Sequence, residues 1–371
     1  FWDAKEVFSR FRVDEVWLPW TDNTSDAKAR DSHRLRTRQL EAVRRARALL
    51  DTSRDAPLLI ARAVEEKLDR ILAFYGPATD GTEPLESVRS TLLSLGQTPR
   101  FLEQGMLVSP TRLPDVRVYV LGPARDDSLL GFAGYGSDRG FYGALHARAG
   151  EGRANDAEVE ATQPFDIRQR WMAEWRRENP LVRGLIESYE RPEANWRRID
   201  NDWLFYATEI ADRLHATVNN SSLALAFESA GSRDVLLFPG DAELANWHTL
   251  EWKPNEGAAA RVTAQDLLSR TVFYKAANHG SLNANQVAAV EAMTRPDLVA
   301  AITADMAFAS AHDLQMPAAA VQARLLEKTQ GRLLVPQSDK LTPTTERRVQ
   351  PDRRFADRTN VTTLYVDFIL P

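Results

Sequence analysis

The sequence predicts an α/β fold, in which helices and a sheet pack in layers around a common core. Three observations support this prediction. Apolar runs of strand length recur in the last third of the chain, and helical segments alternate with them. The chain has 371 residues and is 43% hydrophobic, which suffices for one large domain or two ordinary ones.

The first two thirds of the chain are predicted to be mostly helical. A strand at 13–21 is followed by a long amphipathic helix at 26–52, which begins at a Ser-Asp cap. Residues 125–160 are rich in Gly, Asp and Arg and lack periodicity, so we expect a mobile insertion there. The other predicted elements are helices at 57–75, 84–95, 165–189 and 202–215 and a strand at 116–123.

The last third of the chain alternates between strands and helices. The predicted strands lie at 222–228, 234–238, 271–276, 298–303, 332–335 and 361–369. The predicted helices lie at 242–252, 263–269, 284–294 and 316–328. We find no internal repeat and no clear linker.

Charge and residue usage exclude several classes of protein. The net charge of −5 argues against nucleic-acid binding through overall charge. Because cysteine is absent, disulfide scaffolds, thiolate metal sites and cysteine nucleophiles are excluded, and a transition metal would need carboxylates and some of the six histidines. No apolar stretch reaches the ~18 residues of a membrane span and no signal peptide is visible, so we predict a cytoplasmic protein without a membrane span.

The segment "DVLLFPGDAELANW" (234–247) places Asp241 where an apolar strand ends and a helix is predicted to begin. A carboxylate there would lie at the sheet edge where α/β folds place functional groups. The alternative is that Asp241 caps the predicted helix by accepting hydrogen bonds from its first N–H groups.

A second strand end, in "TVFYKAANHGSLNAN" (271–285), carries His279. Neutral imidazole is the usual nitrogen ligand of zinc, whereas a single turn histidine is more often structural. Two consecutive apolar strands that each deliver a metal-type ligand at the same kind of end favour a shared site. We therefore predict that Asp241 and His279 are ligands of one metal site.

Four segments together, "NNSSLALAF", "DVLLFPGDAELANW", "VFYKAANHGS" and "PDLVAAITAD", resemble the metallo-β-lactamase-fold hydrolases. The nearest branch is the hydrolase domain of DNA-uptake channel proteins, which typically shows N-x-x-S, G-D, H-H-G-S and P-D beside apolar strands. The resemblance covers about residues 216–305 well and extends loosely to "VDEVWLPWT" and "VRVYVLGP".

The resemblance implies an αββα sandwich of two mixed sheets flanked by helices, formed by a single domain over 1–371. Within it we expect a helical insertion at 22–110, a mobile or helical insertion at 125–215, and the C-terminal half of the sandwich at 216–371.

The resemblance also assigns roles to residues. Asp241 would bridge two divalent metal ions, with zinc expected first and manganese as the alternative, and His279 would bind the second ion. Ser281 would line the site, and Asn220 and Ser222 would support the strand beneath it. A water bridging two metals is acidified towards hydroxide, which predicts hydrolysis of a phosphodiester or nucleic-acid-like substrate.

Two departures from the family pattern favour an alternative. Asn278 replaces the first histidine of H-H-G-S, and the main ligand motif, H-x-H-x-D-H, does not occur in the sequence. The opening "FWDAKEVFSRF" resembles the helix that follows this motif, so we expect an N-terminally incomplete fold whose missing segment precedes Phe1. The alternative is a catalytically degenerate fold that serves as a scaffold or protein partner in a larger assembly.

Further residues are candidates for substrate contact. Asn278, Asp305 and His312 lie at or after predicted strand ends, where loops commonly bind substrates. His248 could approach the same edge but fits a helix face better. The basic helix 28–47, with eight Lys and Arg, could bind a nucleic-acid backbone, although a solvated helix face explains it more simply.

Overall fold

The computed structural model describes residues 10–52, 58–75, 84–96, 99–130, 179–191, 202–243, 251–252, 261–282, 284–285, 287–304, 309–310, 316–335, 353–361 and 366–369. Over these ranges the protein is an α/β structure with a mixed seven-stranded sheet and helices. None of the helices within these ranges has the length and apolar character needed to cross a bilayer.

The strands are β1 (Val16–Pro19), β2 (Pro99–Leu102), β3 (Leu107–Val108), β4 (Val116–Gly122), β5 (Ala224–Ser229), β6 (Val235–Phe238), β7 (Glu251–Trp252), β8 (Val262–Thr263), β9 (Thr271–Lys275), β10 (Val299–Ala301), β11 (Leu333–Leu334), β12 (Thr359–Val361) and β13 (Val366–Phe368). The helices are α1 (Ala27–Thr52), α2 (Leu58–Tyr75), α3 (Pro84–Leu95), α4 (Asp127–Leu130), α5 (Pro180–Glu190), α6 (Asp202–Asn220), α7 (Ala264–Ser269), α8 (Val287–Ala292), α9 (Ala319–Lys328) and α10 (Arg353–Asp357). Short 3₁₀ turns cover Trp20–Asp22 and Asn278–Gly280.

The chain divides into two compact units. The first comprises Phe1–His33, Val88–Gly131 and Ala216–Pro371, and it holds all of the strands named above. The second comprises Arg34–Ser87 and Phe132–His215, and its described part is helical. Residues 22–110, predicted as a helical insertion, therefore also contain the strands β2 and β3 of the first unit.

The large sheet has the strand order β11-β10-β9-β6-β5-β4-β3. Strands β6, β9, β10 and β11 run parallel, whereas β3, β4, β5 and β6 pair antiparallel. Because the four parallel strands share one direction, all of their carboxyl ends lie at the same edge of the sheet. The amino end of β5 lies at that edge as well, since β5 runs opposite to β6.

One face of the sheet packs against helices. Buried side chains from alternate strand positions, including Tyr119, Leu237 and Tyr274, form a cluster with Leu267 and Leu268 of α7. The same cluster takes in apolar residues of α8 and α9. Burial of this contiguous apolar surface is the main stabilising contribution to the first unit.

The opposite face packs against other strands. Towards β4, buried residues of β4 contact Trp17 of β1 and Leu102 of β2, which form a separate two-stranded parallel sheet. Towards β10 and β11, Phe355 of α10 and Phe368 of the β12–β13 hairpin cover the sheet. In its described part, the first unit therefore has helices on one face of the mixed sheet, and the smaller sheets together with α10 on the other.

Most predicted elements are present within one to three residues of their expected bounds, but some are not. Helix α6 runs to Asn220 instead of ending at 215, and 361–369 contains parts of a hairpin instead of one strand. The predicted helix at 242–252 is wrong where it can be examined, because Ala242 and Glu243 are not helical and Glu251–Trp252 form β7. Of the predicted mobile insertion at 125–160, residues 131–160 lie outside the described residues.

Candidate metal centre

The site is built on the turns that follow two adjacent parallel strands. Strand β6 leads through Pro239 and Gly240 to Asp241, and strand β9 leads through Ala276 and Ala277 to the turn that carries His279. Since β6 and β9 pair in parallel, both turns emerge at the same sheet edge.

A backbone hydrogen bond joins the two turns directly. The amide of Asn278 donates to the carbonyl oxygen of Gly240 at 3.1 Å. These residues immediately precede His279 and Asp241 in the chain. The structure thus brings together the two predicted ligands at the backbone level, although they lie far apart in the sequence.

The Asp241 turn is braced by the segment that precedes β5. The amide of Glu243 donates to the Asn220 side-chain oxygen at 2.9 Å. Gly240 has a φ of +62°, and a Cβ atom there would lie 3.2 Å from the Cβ of Ser222 and 3.1 Å from the Leu223 carbonyl oxygen. The left-handed conformation and the close approach therefore both favour glycine. Asn220 and Ser222 therefore lie beside the Asp241 turn.

The His279 turn has an unusual backbone. Three consecutive residues have positive φ angles, at 41° for Asn278, 52° for His279 and 80° for Gly280. Left-handed conformations of non-glycine residues cost about 1–3 kcal/mol each and concentrate at functional sites.

The orientation of the His279 ring is fixed by a hydrogen bond to the next strand. Its Nδ1 is hydrogen-bonded to the carbonyl oxygen of Thr303, just past β10. A carbonyl oxygen can only accept, so Nδ1 carries the proton and Nε2 of the neutral ring keeps its lone pair. This pattern, in which one ring nitrogen donates to a backbone carbonyl, is typical of histidines that bind metals through the other.

The other predicted contact residues have different surroundings. Asn278 is buried, and Ser281 is 8% exposed with a hydroxyl that has no hydrogen-bond partner among the described residues. Asp305 and His312, as well as His248, lie outside the described residues.

Lys275 places a cation at the same edge. It is the last residue of β9 and is half-buried. Burial lowers the pKa of its ammonium group, and the negative charge of Asp241 opposes this shift. Asp241 and Lys275 therefore interact electrostatically. Lys275 was not among the predicted site residues, although the sequence carries a signal for it, namely a charged residue at the end of an otherwise uncharged strand.

Asn285 is a site residue that the sequence pattern did not indicate. Its side-chain amide binds the backbone on both sides of the His279 turn, at Ala277 and Ser281. Neither hydrophobic periodicity nor a ligand motif marks this residue, because three of its four hydrogen bonds are to backbone groups.

The donor set at the edge comprises one imidazole nitrogen and one carboxylate. Both are ligand types that zinc and manganese accept, so these two residues fit a metal site, to which they would supply two ligands. Within the described ranges, no group of three or more His, Asp or Glu side chains could hold a metal ion. A dinuclear centre would need further ligands from elsewhere.

Comparison with known proteins gives no relative from which a role could be transferred. No protein-family model, curated protein or solved structure matches this chain. The metallo-β-lactamase resemblance stays a prediction, and the function has to be argued from the geometry of the sheet edge.

Proposed function

We propose that the protein is a metal-dependent hydrolase that activates water at a dinuclear centre. The observation that carries the proposal is the junction of the Asp241 and His279 turns through the Asn278–Gly240 hydrogen bond of 3.1 Å. It is supported by the His279 ring, whose Nδ1 is engaged by Thr303 and whose Nε2 is left as a metal-type donor.

The residues would act as follows. The carboxylate of Asp241 and Nε2 of His279 would hold divalent ions, zinc first and manganese as the alternative. When bound, such ions lower the pKa of a water and neutralise the charge that develops on the substrate. The Thr303 carbonyl orients the imidazole and keeps the proton on Nδ1, while Asn220 braces the turn of Asp241. The remaining ligands would come from residues beyond those described, including any segment that precedes Phe1.

The fold that fits this proposal is the metallo-β-lactamase-like αββα sandwich. Its support is a mixed seven-stranded sheet with helices on one face and smaller sheets on the other. For the substrate we propose a phosphodiester or nucleic-acid-like molecule, because Lys275 adds positive charge near Asp241 and favours an anion at this edge.

A second candidate is a catalytically degenerate scaffold that binds a protein partner. The observation that favours it is the electrostatic interaction of Lys275 with Asp241. A lysine ammonium can compensate the charge of a carboxylate, which a metal ion would otherwise do. In that case the sheet edge would keep its fold but would catalyse no reaction.

Metal analysis of the natural full-length protein separates the two candidates. For the hydrolase we expect two equivalents of zinc or manganese, which Asp241→Ala or His279→Ala removes together with hydrolysis of bis(p-nitrophenyl) phosphate. A suitable control is Asp234→Ala, since Asp234 precedes β6 at the opposite edge of the sheet and should leave the metal content unchanged.

The scaffold predicts the reverse result. The protein would contain no stoichiometric metal, and chelators would leave its free energy of unfolding unchanged. That outcome, or equal metal loss in Asp234→Ala and Asp241→Ala, would contradict the hydrolase proposal.

A further inference from the structure

The side-chain amide of Asn285 uses its full hydrogen-bonding capacity on the His279 turn and the strand before it. Asn285 is 5% exposed. Its Oδ1 accepts from the Tyr274 hydroxyl at 2.7 Å and from the Ala277 amide at 3.1 Å. Its Nδ2 donates to the carbonyl oxygens of Ala277 at 2.9 Å and Ser281 at 2.6 Å. An amide group has two donors and two acceptor lone pairs, so all of them are engaged.

These partners enclose the left-handed segment. Ala277 precedes Asn278, and Ser281 follows Gly280, so three of the four bonds fix the ends of the Asn278–Gly280 turn. A turn with two non-glycine residues at positive φ persists only when its surroundings hold it. Buried hydrogen bonds to backbone groups are well suited to this, because breaking them leaves unsatisfied polar groups in the core.

The other contacts of the turn do not replace Asn285. The Gly280 carbonyl accepts from the Ala318 amide at 3.0 Å, and the Asn278 amide donates to Gly240. The turn is also closed by its own backbone, since the Gly280 amide donates to the Ala277 carbonyl oxygen and the Ser281 amide donates to the Asn278 carbonyl oxygen, each at 2.9 Å. Among the described residues, Asn285 is the side chain that hydrogen-bonds to both Ala277 and Ser281, the residues that flank the turn. The imidazole then lies within reach of Thr303.

We propose that Asn285 is a positioning residue, which holds His279 in its Nδ1-protonated, ligand-ready orientation before any metal binds. The assignment of His279 as a ligand rests on the proposed function, but the positioning of the ring does not. Preorganisation of this kind strengthens metal binding, and loss of an outer hydrogen-bonding partner typically weakens metal affinity by about 10–100-fold.

The experiment uses the full-length protein and two readouts. In the metal-free protein at about pH 8, above the ordinary histidine pKa, ¹⁵N NMR reports which nitrogen of His279 carries the proton. In the second readout, titration with Zn²⁺ gives the dissociation constant. We expect the wild type to show protonated Nδ1, and Asn285→Ala to show a mixture of tautomers with zinc binding about 10–100-fold weaker.

Two variants make the test specific. Tyr274→Phe removes the hydroxyl bonded to Asn285 and leaves the three bonds to the backbone, so tautomer and zinc affinity should stay at wild-type values. Asn285→Asp keeps the size and the acceptors but removes both Nδ2 donors, so we expect the same mixture of tautomers and the same weaker zinc binding. This variant provides the test if Asn285→Ala folds poorly.

The outcomes distinguish this proposal from the proposed function. If the wild type binds no zinc but Asn285→Ala still gives a mixture of His279 tautomers, the hydrolase proposal fails and the positioning role stands. If both Asn285 variants keep protonated Nδ1 and wild-type zinc affinity, the positioning role is overturned. It is also overturned if Tyr274→Phe changes both readouts as much as Asn285→Ala, or if neither Asn285 variant folds, since Asn285 would then serve the core.

Discussion

The turn that carries His279 depends at the residue scale on one glycine. Gly280 has a φ of +80°, and a Cβ atom there would lie 2.9 Å from the Cβ of Pro317 and 3.2 Å from a methyl carbon of Ile302. Both the backbone conformation and the lack of space therefore require glycine. By contrast, Gly105 has a φ of +88°, but a Cβ atom at that position would meet nothing within 4 Å.

This pair of glycines allows the cost of the left-handed conformation to be separated from the cost of crowding by neighbouring side chains. We expect Gly105→Ala to lower the free energy of unfolding by about 1–2 kcal/mol, the cost of a left-handed alanine. Gly280→Ala should cost about 1–3 kcal/mol more, because overpacking against Pro317 adds to it. Urea denaturation of the two variants measures the difference. Equal destabilisation would show that Pro317 and Ile302 move aside without cost.

At the scale of elements, the edge opposite to the site is held by a buried carboxylate. Glu228, at the end of β5, is 1% exposed. It accepts from the Tyr119 hydroxyl at 2.5 Å and pairs with Arg270 at 3.2 Å and Arg233 at 3.4 Å. Burial and this hydrogen bond both raise the pKa of the Tyr119 hydroxyl, so it stays a donor. The cluster thus connects β4 and β5 to the residue between α7 and β9.

Removal of Glu228 should be strongly destabilising. We expect Glu228→Ala to lower the free energy of unfolding by about 3 kcal/mol, because the partly buried Arg270 would keep its Asp266 carboxylate but lose that of Glu228, and the buried Tyr119 hydroxyl would lose this acceptor. Tyr119→Phe, which removes only the hydroxyl, should cost about 1 kcal/mol. Urea unfolding of both variants checks this order, and a Glu228→Ala cost no larger than that of Tyr119→Phe would contradict it.

The long apolar elements were predictable from the sequence, whereas the pairing and the supports of the site were not. The runs at 234–238 and 271–276 are apolar and bounded by turn residues, so both strands and the residues at their ends could be expected. Strands such as β3, with two residues, are set by pairing with β4 and carry no periodic signal. Thr303 supports the site through its own backbone carbonyl and Asn285 mainly through backbone partners, and no spacing rule detects such contacts.

At the scale of the whole molecule, several carboxyl groups of the first unit have lowered pKa values in the folded state. The pKa of Glu15 falls to about 2, mainly through hydrogen bonding with Thr111, and that of Glu291 falls to about 2 through hydrogen bonding with Arg324. Hydrogen bonds with arginines also lower the pKa of Asp26 and Asp297. These groups bind protons more readily in the unfolded chain.

The protein should therefore lose stability in acid. A group whose folded pKa is lowered stabilises the fold above its unfolded pKa, about 4.5 for Glu, and this contribution disappears as the pH falls towards about 2. We expect the midpoint of urea unfolding to fall steadily between about pH 5 and pH 2. The destabilisation caused by Glu291→Gln should shrink over the same range. A destabilisation that is independent of pH would exclude this contribution from Glu291.

The hydrogen bond between Asn278 and Gly240 also has a consequence for folding kinetics. Strands β6 and β9 pair in parallel, so they can meet only after the intervening crossover with α7 has closed. Contacts that need such a crossover form late compared with hairpins such as β5–β6. The Asp241 and His279 turns are therefore joined only in chains that have completed this pairing, and hydrogen-exchange protection of the Asn278 amide marks the moment at which the edge assembles.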